Sequence, residues 1–222
     1  MTTSAVKSNL GIIVAVGSVW GLTEFAAGMG LQKCATLLTG AILTGLAFFW
    51  VSFIWSVTRK LLPLLFIVGL AILFKFLDAL LLPVTWNHGS ILNPAYAMMT
   101  ILVGFSLLIL LFKKQFSGRL MNRILIGAGA AIIATALFPV VGFATGSKAC
   151  FYAATNIPLA IYTAPVAIAI SMITVPLGYL AAGWYTGKIH EGNSIQSPLL
   201  SRLWSPAIVL CCILIITIVR VI

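Results

Sequence analysis

Acidic residues are almost missing from this chain: among 222 residues there are three, Glu24, Asp78 and Glu191. That scarcity leaves no carboxylate set for a metal hydrolase. Histidine is rarer still, with only His88 and His190. Both fall in expected loops on opposite sides of the apolar segments, so a haem held by two imidazoles within spans is excluded. No H-E-x-x-H, G-x-S-x-G or Walker-type lysine loop is present, which removes the common hydrolase and nucleotide-binding chemistries. The sequence offers no catalytic residues, no metal ligands and no cofactor site, and the expectation is a protein that is not an enzyme. It cannot hydrolyse ATP itself, so active transport would need a partner or an ion gradient. Low-complexity tracts and internal repeats are absent, unlike the duplicated halves of many larger transporters. Cysteines number four. Cys34 and Cys150 fall in expected outer loops, where they can be a disulfide or two unpaired small hydrophobes; Cys211 and Cys212 lie in the last apolar segment.

What the chain has instead is apolar length. It is 62% hydrophobic and 7% charged, with a mean hydropathy of +1.18, whereas soluble domains carry about 25% charged residues. A bilayer span needs about 20 mainly apolar residues. Seven segments qualify, at roughly 9 to 30, 35 to 57, 61 to 83, 91 to 112, 122 to 143, 158 to 186 and 203 to 222. The expected fold is all-α: a polytopic membrane helical bundle with a six-helix core, residues 1 to 190, and a seventh C-terminal transmembrane helix. That helix follows the polar linker "KIHEGNSIQSP", residues 188 to 198, and the linker and helix together are expected as a second unit, residues 191 to 222. The sixth segment carries Pro165 and Pro176, which predicts a kink or tilt.

The formal charge of +10 is explained by orientation rather than by nucleic acid. Lys7, Arg59, Lys60, Lys113, Lys114, Arg119, Arg123, Lys188 and Arg202 fall on one side of the expected spans; Lys33, Lys148 and Arg220 fall on the other. The positive-inside rule then puts the N-terminus in the cytoplasm and the C-terminus outside, in a multi-pass protein of the cell inner (plasma) membrane. The first apolar segment is too long for a cleaved signal and holds Trp20 and Glu24, so it is expected to remain as a span.

Glu24 stands in "WGLTEFAAG" at helical spacing with Gly17, Gly21 and Gly28, so carboxylate and glycines share a face that should point into the bundle. An ionised residue at mid-span costs roughly 2.5 to 3.5 kcal/mol even on generous scales, so it is expected to have a partner or a function. Lys75 and Asp78, three residues apart in the third segment, are the other deep charges. Glu24 lies as far beyond Asn9 as Lys75 lies beyond Lys60, about 22 Å from the inner edge of a core about 30 Å thick. Lys75 is therefore the expected partner. Two carboxylates and one ammonium leave a surplus negative charge, to be met by a proton or by a cationic or hydrogen-bond-donating group. Alternatively the pair simply locks the first helix to the third.

The connection on the same outer side reads "TWNHGSILNPAYAMM", with Trp86, Asn87, His88, Asn93 and Tyr96 at the mouth of the bundle. Asn93, followed by Pro94, is expected to cap the fourth helix. A mostly apolar cavity with a few convergent polar groups is the usual form of a small-molecule site. Small residues four apart, Gly11 with Ala15 and Gly17 with Gly21, let helix backbones approach closely, either inside the bundle or as a docking face for another membrane protein.

The segments "GSVWGLTEFAAG" and "ILNPAYAMM" look like those of small bacterial membrane proteins, and residues 9 to 186 resemble the substrate-binding S-components of energy-coupling factor vitamin transporters. The resemblance implies six core helices and a vitamin-like or metal-related substrate bound near the outer face. It also implies docking, through small residues of the first helix, on a transmembrane coupling subunit served by ATPases. It would place Glu24, Lys75, Asn87, His88, Asn93 and Tyr96 along the substrate site. The family's docking alanines are here Gly11 with Ala15 and Gly17 with Gly21. The other expected role is an accessory or anchoring subunit of a larger membrane complex.

Overall fold

The computed structural model describes residues 3–30, 37–81, 89–112, 119–146, 157–191 and 198–221, with side chains over 10–26, 38–77, 91–112, 119–146, 157–187 and 205–218. Seven helices follow one another: α1 (Thr3–Gly30), α2 (Leu37–Thr58), α3 (Leu62–Leu81), α4 (Gly89–Leu111), α5 (Leu120–Thr145), α6 (Leu159–Glu191) and α7 (Pro198–Val221). The expected helical fold class is what the chain adopts. Within the described residues, four stretches are long and apolar enough to cross a bilayer: Leu38–Thr58, Ile91–Leu111, Leu120–Thr145 and Leu159–Gly187. Leu10–Ala26, Leu62–Leu77 and Ser205–Ile218 are shorter apolar stretches. Cys34 and Cys150 lie outside the described residues.

Around the bundle, α1 packs on α3, α3 on α4, α4 on α5, α5 on α6 and α6 on α2, and α2 closes the circuit on α1 while also touching α3 and α4. α7 packs against α1, where Cys212 and Ile216 meet Phe25 and Phe74. The main core collects Trp20, Phe48, Ile54, Ile67 and Phe105, all fully buried or nearly so. The outer surface is equally apolar: Phe143 is 91% exposed and Trp184 67%. Between lipid-facing helices there is no water to exclude, so close packing and buried polar contacts carry association.

Backbone-to-backbone approach supplies that closeness. A side chain at Gly104 would stand 2.7 Å from the carbonyl oxygen of Ala130, and one at Gly127 would run into the carbonyl of Ser171. Those two positions fix the α4–α5 and α5–α6 seams. On the α2–α6 seam the Ser52 hydroxyl has Phe49 O at 3.0 Å and Val175 O, across the interface, at 3.3 Å. One proton is thus offered to two carbonyls on different helices.

Two local expectations need correction. Asn93 does not cap α4, because the helix begins at Gly89 and carries both Asn93 and Pro94 inside it. A proline in the second turn removes one backbone donor, a loss that neighbouring helices make tolerable within a bundle. The polar linker also starts later than expected: "KIHE" continues α6 to Glu191, a stretch with no glycine or proline in it. α6 itself runs unbroken through Pro165 and Pro176.

Candidate functional site: a buried acid and base between two parallel helices

The direction and register of α1 against α3 place the site. A side chain at Gly17 would stand 3.1 Å from Leu70 Cβ and 3.4 Å from Ile67 Cα; one at Gly21 would stand 2.7 Å from Phe74 Cγ. Residue numbers rise together on both helices, so the two run parallel. Glu24, one turn beyond Gly21, and Lys75, the residue after Phe74, therefore arrive at the same level. Both are removed from solvent, Glu24 to 7% and Lys75 to 3% exposure. The Lys75 ammonium is near enough to act electrostatically on the Glu24 carboxylate. The indole Nε1 of Trp20 donates to Glu24 Oε1 at 3.3 Å, just beyond the usual N–H···O range and so a weak bond. Trp20 and Glu24 are four residues apart and so share one face of α1.

Gly17 and Gly21 are thus used within the chain, covered by α3 rather than left open for a docking partner. Gly11 meets Ser205 of α7, whose Cβ would be 3.8 Å from a side chain there. Ala15 is half-buried.

Of the residues expected at the outer mouth, Asn93 and Tyr96 are half-buried in the first two turns of α4. They lie at the same end of the bundle as Lys75, because α3 ends where α4 begins. Asp78 is in α3, but its side chain lies outside the described residues, as do Trp86, Asn87 and His88 altogether. Among the described residues no three histidine, cysteine or carboxylate side chains come together as a metal site. An apolar groove of about 200 Å³ lies between α4 and α5, lined by Leu108, Phe112, Leu125, Ile126 and Gly129. It is at the other end of these helices and carries no titratable group.

That other end holds a constellation the sequence did not reveal. Tyr179 of α6 is buried, and two guanidiniums stack on its ring: Arg123 from the start of α5, with Cζ 4.8 Å from the centroid, and Arg59 from the end of α2, at 5.9 Å. The Trp55 indole, a donor only, lies beside the Tyr179 phenol oxygen. Arg59 takes a left-handed backbone, φ 53°, with its N–H closing the last turn of α2 on Trp55 O at 2.8 Å. A non-glycine residue held there carries strain of order 1 to 2 kcal/mol. The only signals of this cluster in the sequence are the basic pair at the exit of α2 and the basic start of α5. Nothing in the sequence connects them to a tyrosine in the middle of α6.

Set against known proteins, the chain matches no protein-family model, no curated protein and no solved structure.

Proposed function

We propose that the chain is a seven-span membrane protein, N-terminus in the cytoplasm, that binds a small polar molecule from the outer side and takes part in its import, with Glu24 and Lys75 as the charged floor of the site. The observation that carries this reading is the burial of an acid and a base at one level between α1 and α3. Support for seven crossings comes from helix direction. α1 runs parallel to α3 and α2 to α6, since Gly45 meets Ile170 and Gly178 meets Ser52. α4 is antiparallel to α5, with Gly104 against Ala130 and Gly129 against Leu108, as strict up-and-down alternation requires. Support for an outer-side site comes from basic residues concentrated at the opposite end, where Arg59, Lys60, Arg119 and Arg123 lie. Asn93 and Tyr96, at the same end as the pair, are its nearest candidates for substrate contact from α4. Import would draw on a coupling subunit with ATPases or on an ion gradient.

A test is gentle purification followed by mass spectrometry of every small molecule and protein retained. The expected result is a stoichiometric small polar ligand that is lost from folded Glu24→Gln and Lys75→Met variants. Retention of the same ligand by both variants would remove the site from α1 and α3.

A second reading has its own observation, the tight seating of Gly17 and Gly21 on Leu70 and Phe74. In it the pair is a lock between helices, and the chain is an anchoring subunit of a larger complex. That reading expects protein subunits and no ligand from the same purification.

A further inference from the structure

The Glu24–Lys75 pair is sealed, at 7% and 3% exposure, so a molecule that reaches it needs part of the bundle to move. We propose that α7 is the gate of the pair, a helix that leaves the α1–α3 seam as a unit to open the site and returns to close it. Gating of this kind rests on the reading of the pair as a substrate site.

Position is the first ground. Phe25 follows Glu24 on α1 and Phe74 precedes Lys75 on α3, each about 100° around its helix from its charged neighbour. Both rings are buried, at 1% and 2% exposure, and they meet Cys212 and Ile216 of α7. Leu22, Leu70, Ile208 and Val209 extend the same contact. This cluster is separate from the main core, to which the other six helices contribute. α7 therefore backs the side of the seam next to the pair without being part of what holds the rest of the bundle together.

The fit of the seams is the second ground. On the α1–α3, α2–α6, α4–α5 and α5–α6 seams, a side chain added at Gly21, Gly45, Gly104 or Gly127 would come within 3.0 Å of the facing helix. Those helices are interlocked. On the α1–α7 seam a side chain at Gly11 would meet Ser205 Cβ at 3.8 Å, an ordinary van der Waals contact. What α7 lays on the bundle is apolar: Ile208, Val209, Cys212 and Ile216. Lipid tails are as apolar as these side chains, so such a seam can be given up to lipid with no hydrophobic loss. α7 runs unbroken through Pro206, and a continuous helix moves as a unit.

The remaining helices are tied to one another. α1 and α3 carry the pair itself and are seated together at Gly17 and Gly21. α4 is held to α5 at Gly104, and α5 to α6 at Gly127. On the α2–α6 seam the Ser52 hydroxyl reaches Val175 O at 3.3 Å. Displacing any of these helices opens the main core, whereas displacing α7 opens only the cluster over Phe25 and Phe74.

The experiment uses the full chain in vesicles of phosphatidylglycerol and phosphatidylethanolamine, with its four native cysteines replaced by alanine and with Gly11→Cys and Ser205→Cys introduced. Cβ atoms 3.8 Å apart stand at the usual separation for a disulfide, so oxidation should tie α7 to α1 and reduction should release it. The probe is dicyclohexylcarbodiimide, a lipid-soluble reagent that adds to carboxyl groups, and labelling of Glu24 is followed by peptide mass spectrometry. The reduced protein should label at Glu24. The oxidised protein carries the same substitutions and should label at least about tenfold more slowly, because reaction follows the population of the open form. Equal rates in the two states would overturn the gate, as would no labelling of Glu24 in either. Failure of the disulfide to form would remove α7 from this face of α1. The rates need no substrate, so slowed labelling of the tied protein, with no ligand retained on purification, would uphold the movement of α7 and withdraw the substrate site instead.

Discussion

Glu24 on α1 and Lys75 on α3 stand at one level on parallel helices, near enough for the ammonium to act electrostatically on the carboxylate, both nearly cut off from solvent. Removing one member of a buried pair leaves the other uncompensated, at a typical cost of about 3 to 5 kcal/mol. Glu24→Gln and Lys75→Met should each lower the unfolding temperature in detergent. The double variant should lose clearly less than the sum of the two single losses, with a coupling of at least about 1 kcal/mol. Additive losses would mean that the two side chains do not interact.

The level at which the two meet is legible in the sequence alone, because each segment begins at a polar residue, Asn9 or Lys60, and helical rise is constant. Which helix the glycines face is not legible there. Gly17 and Gly21 have the spacing of a docking stripe, and only the placement of α3 shows that Leu70 and Phe74 occupy it. Asn93–Pro94 misleads for a different reason. The pair reads as a helix start, yet α4 begins at Gly89, and a bundle tolerates proline in the second turn. The Arg59–Tyr179–Arg123 cluster needs three helices at once, so no local pattern announces it.

Close backbone contact predicts a contrast between two glycines. At Gly127 an added methyl meets the Ser171 carbonyl, which belongs to the backbone of α6 and has little room to move, whereas at Gly69 nothing lies within 4 Å. Gly127→Ala should destabilise by about 1 to 3 kcal/mol, the usual cost of overpacking. Gly69→Ala should be neutral or stabilise by up to about 1 kcal/mol through helix propensity. Thermal unfolding of both variants in one detergent measures the difference, and equal effects would contradict the α5–α6 seam.

The orientation makes a prediction of its own. With the four native cysteines replaced by serine, a single cysteine at exposed Lys60 should react with a membrane-impermeant maleimide only after the cytoplasmic face is opened. A cysteine at exposed Gly146, which ends α5 in a left-handed turn, should react from outside in intact cells. Reversed labelling would invert the topology and move the Glu24–Lys75 pair to the inner half.

Tyr179 combines two contributions that substitution can separate. Tyr179→Phe keeps an aromatic face for Arg59 and Arg123 but loses the oxygen beside the Trp55 indole, at a net cost of at most about 0.5 to 1.5 kcal/mol, the worth of one hydrogen bond. Tyr179→Leu also removes the face. Two cation–π contacts are worth about 0.5 to 2 kcal/mol each, so leucine should cost clearly more than phenylalanine although both side chains are apolar. Unfolding temperatures of the two variants, read beside wild type, decide the matter. If leucine and phenylalanine behave alike, the guanidiniums draw nothing from the ring, and their convergence on Tyr179 must be held by contacts elsewhere along α2 and α5.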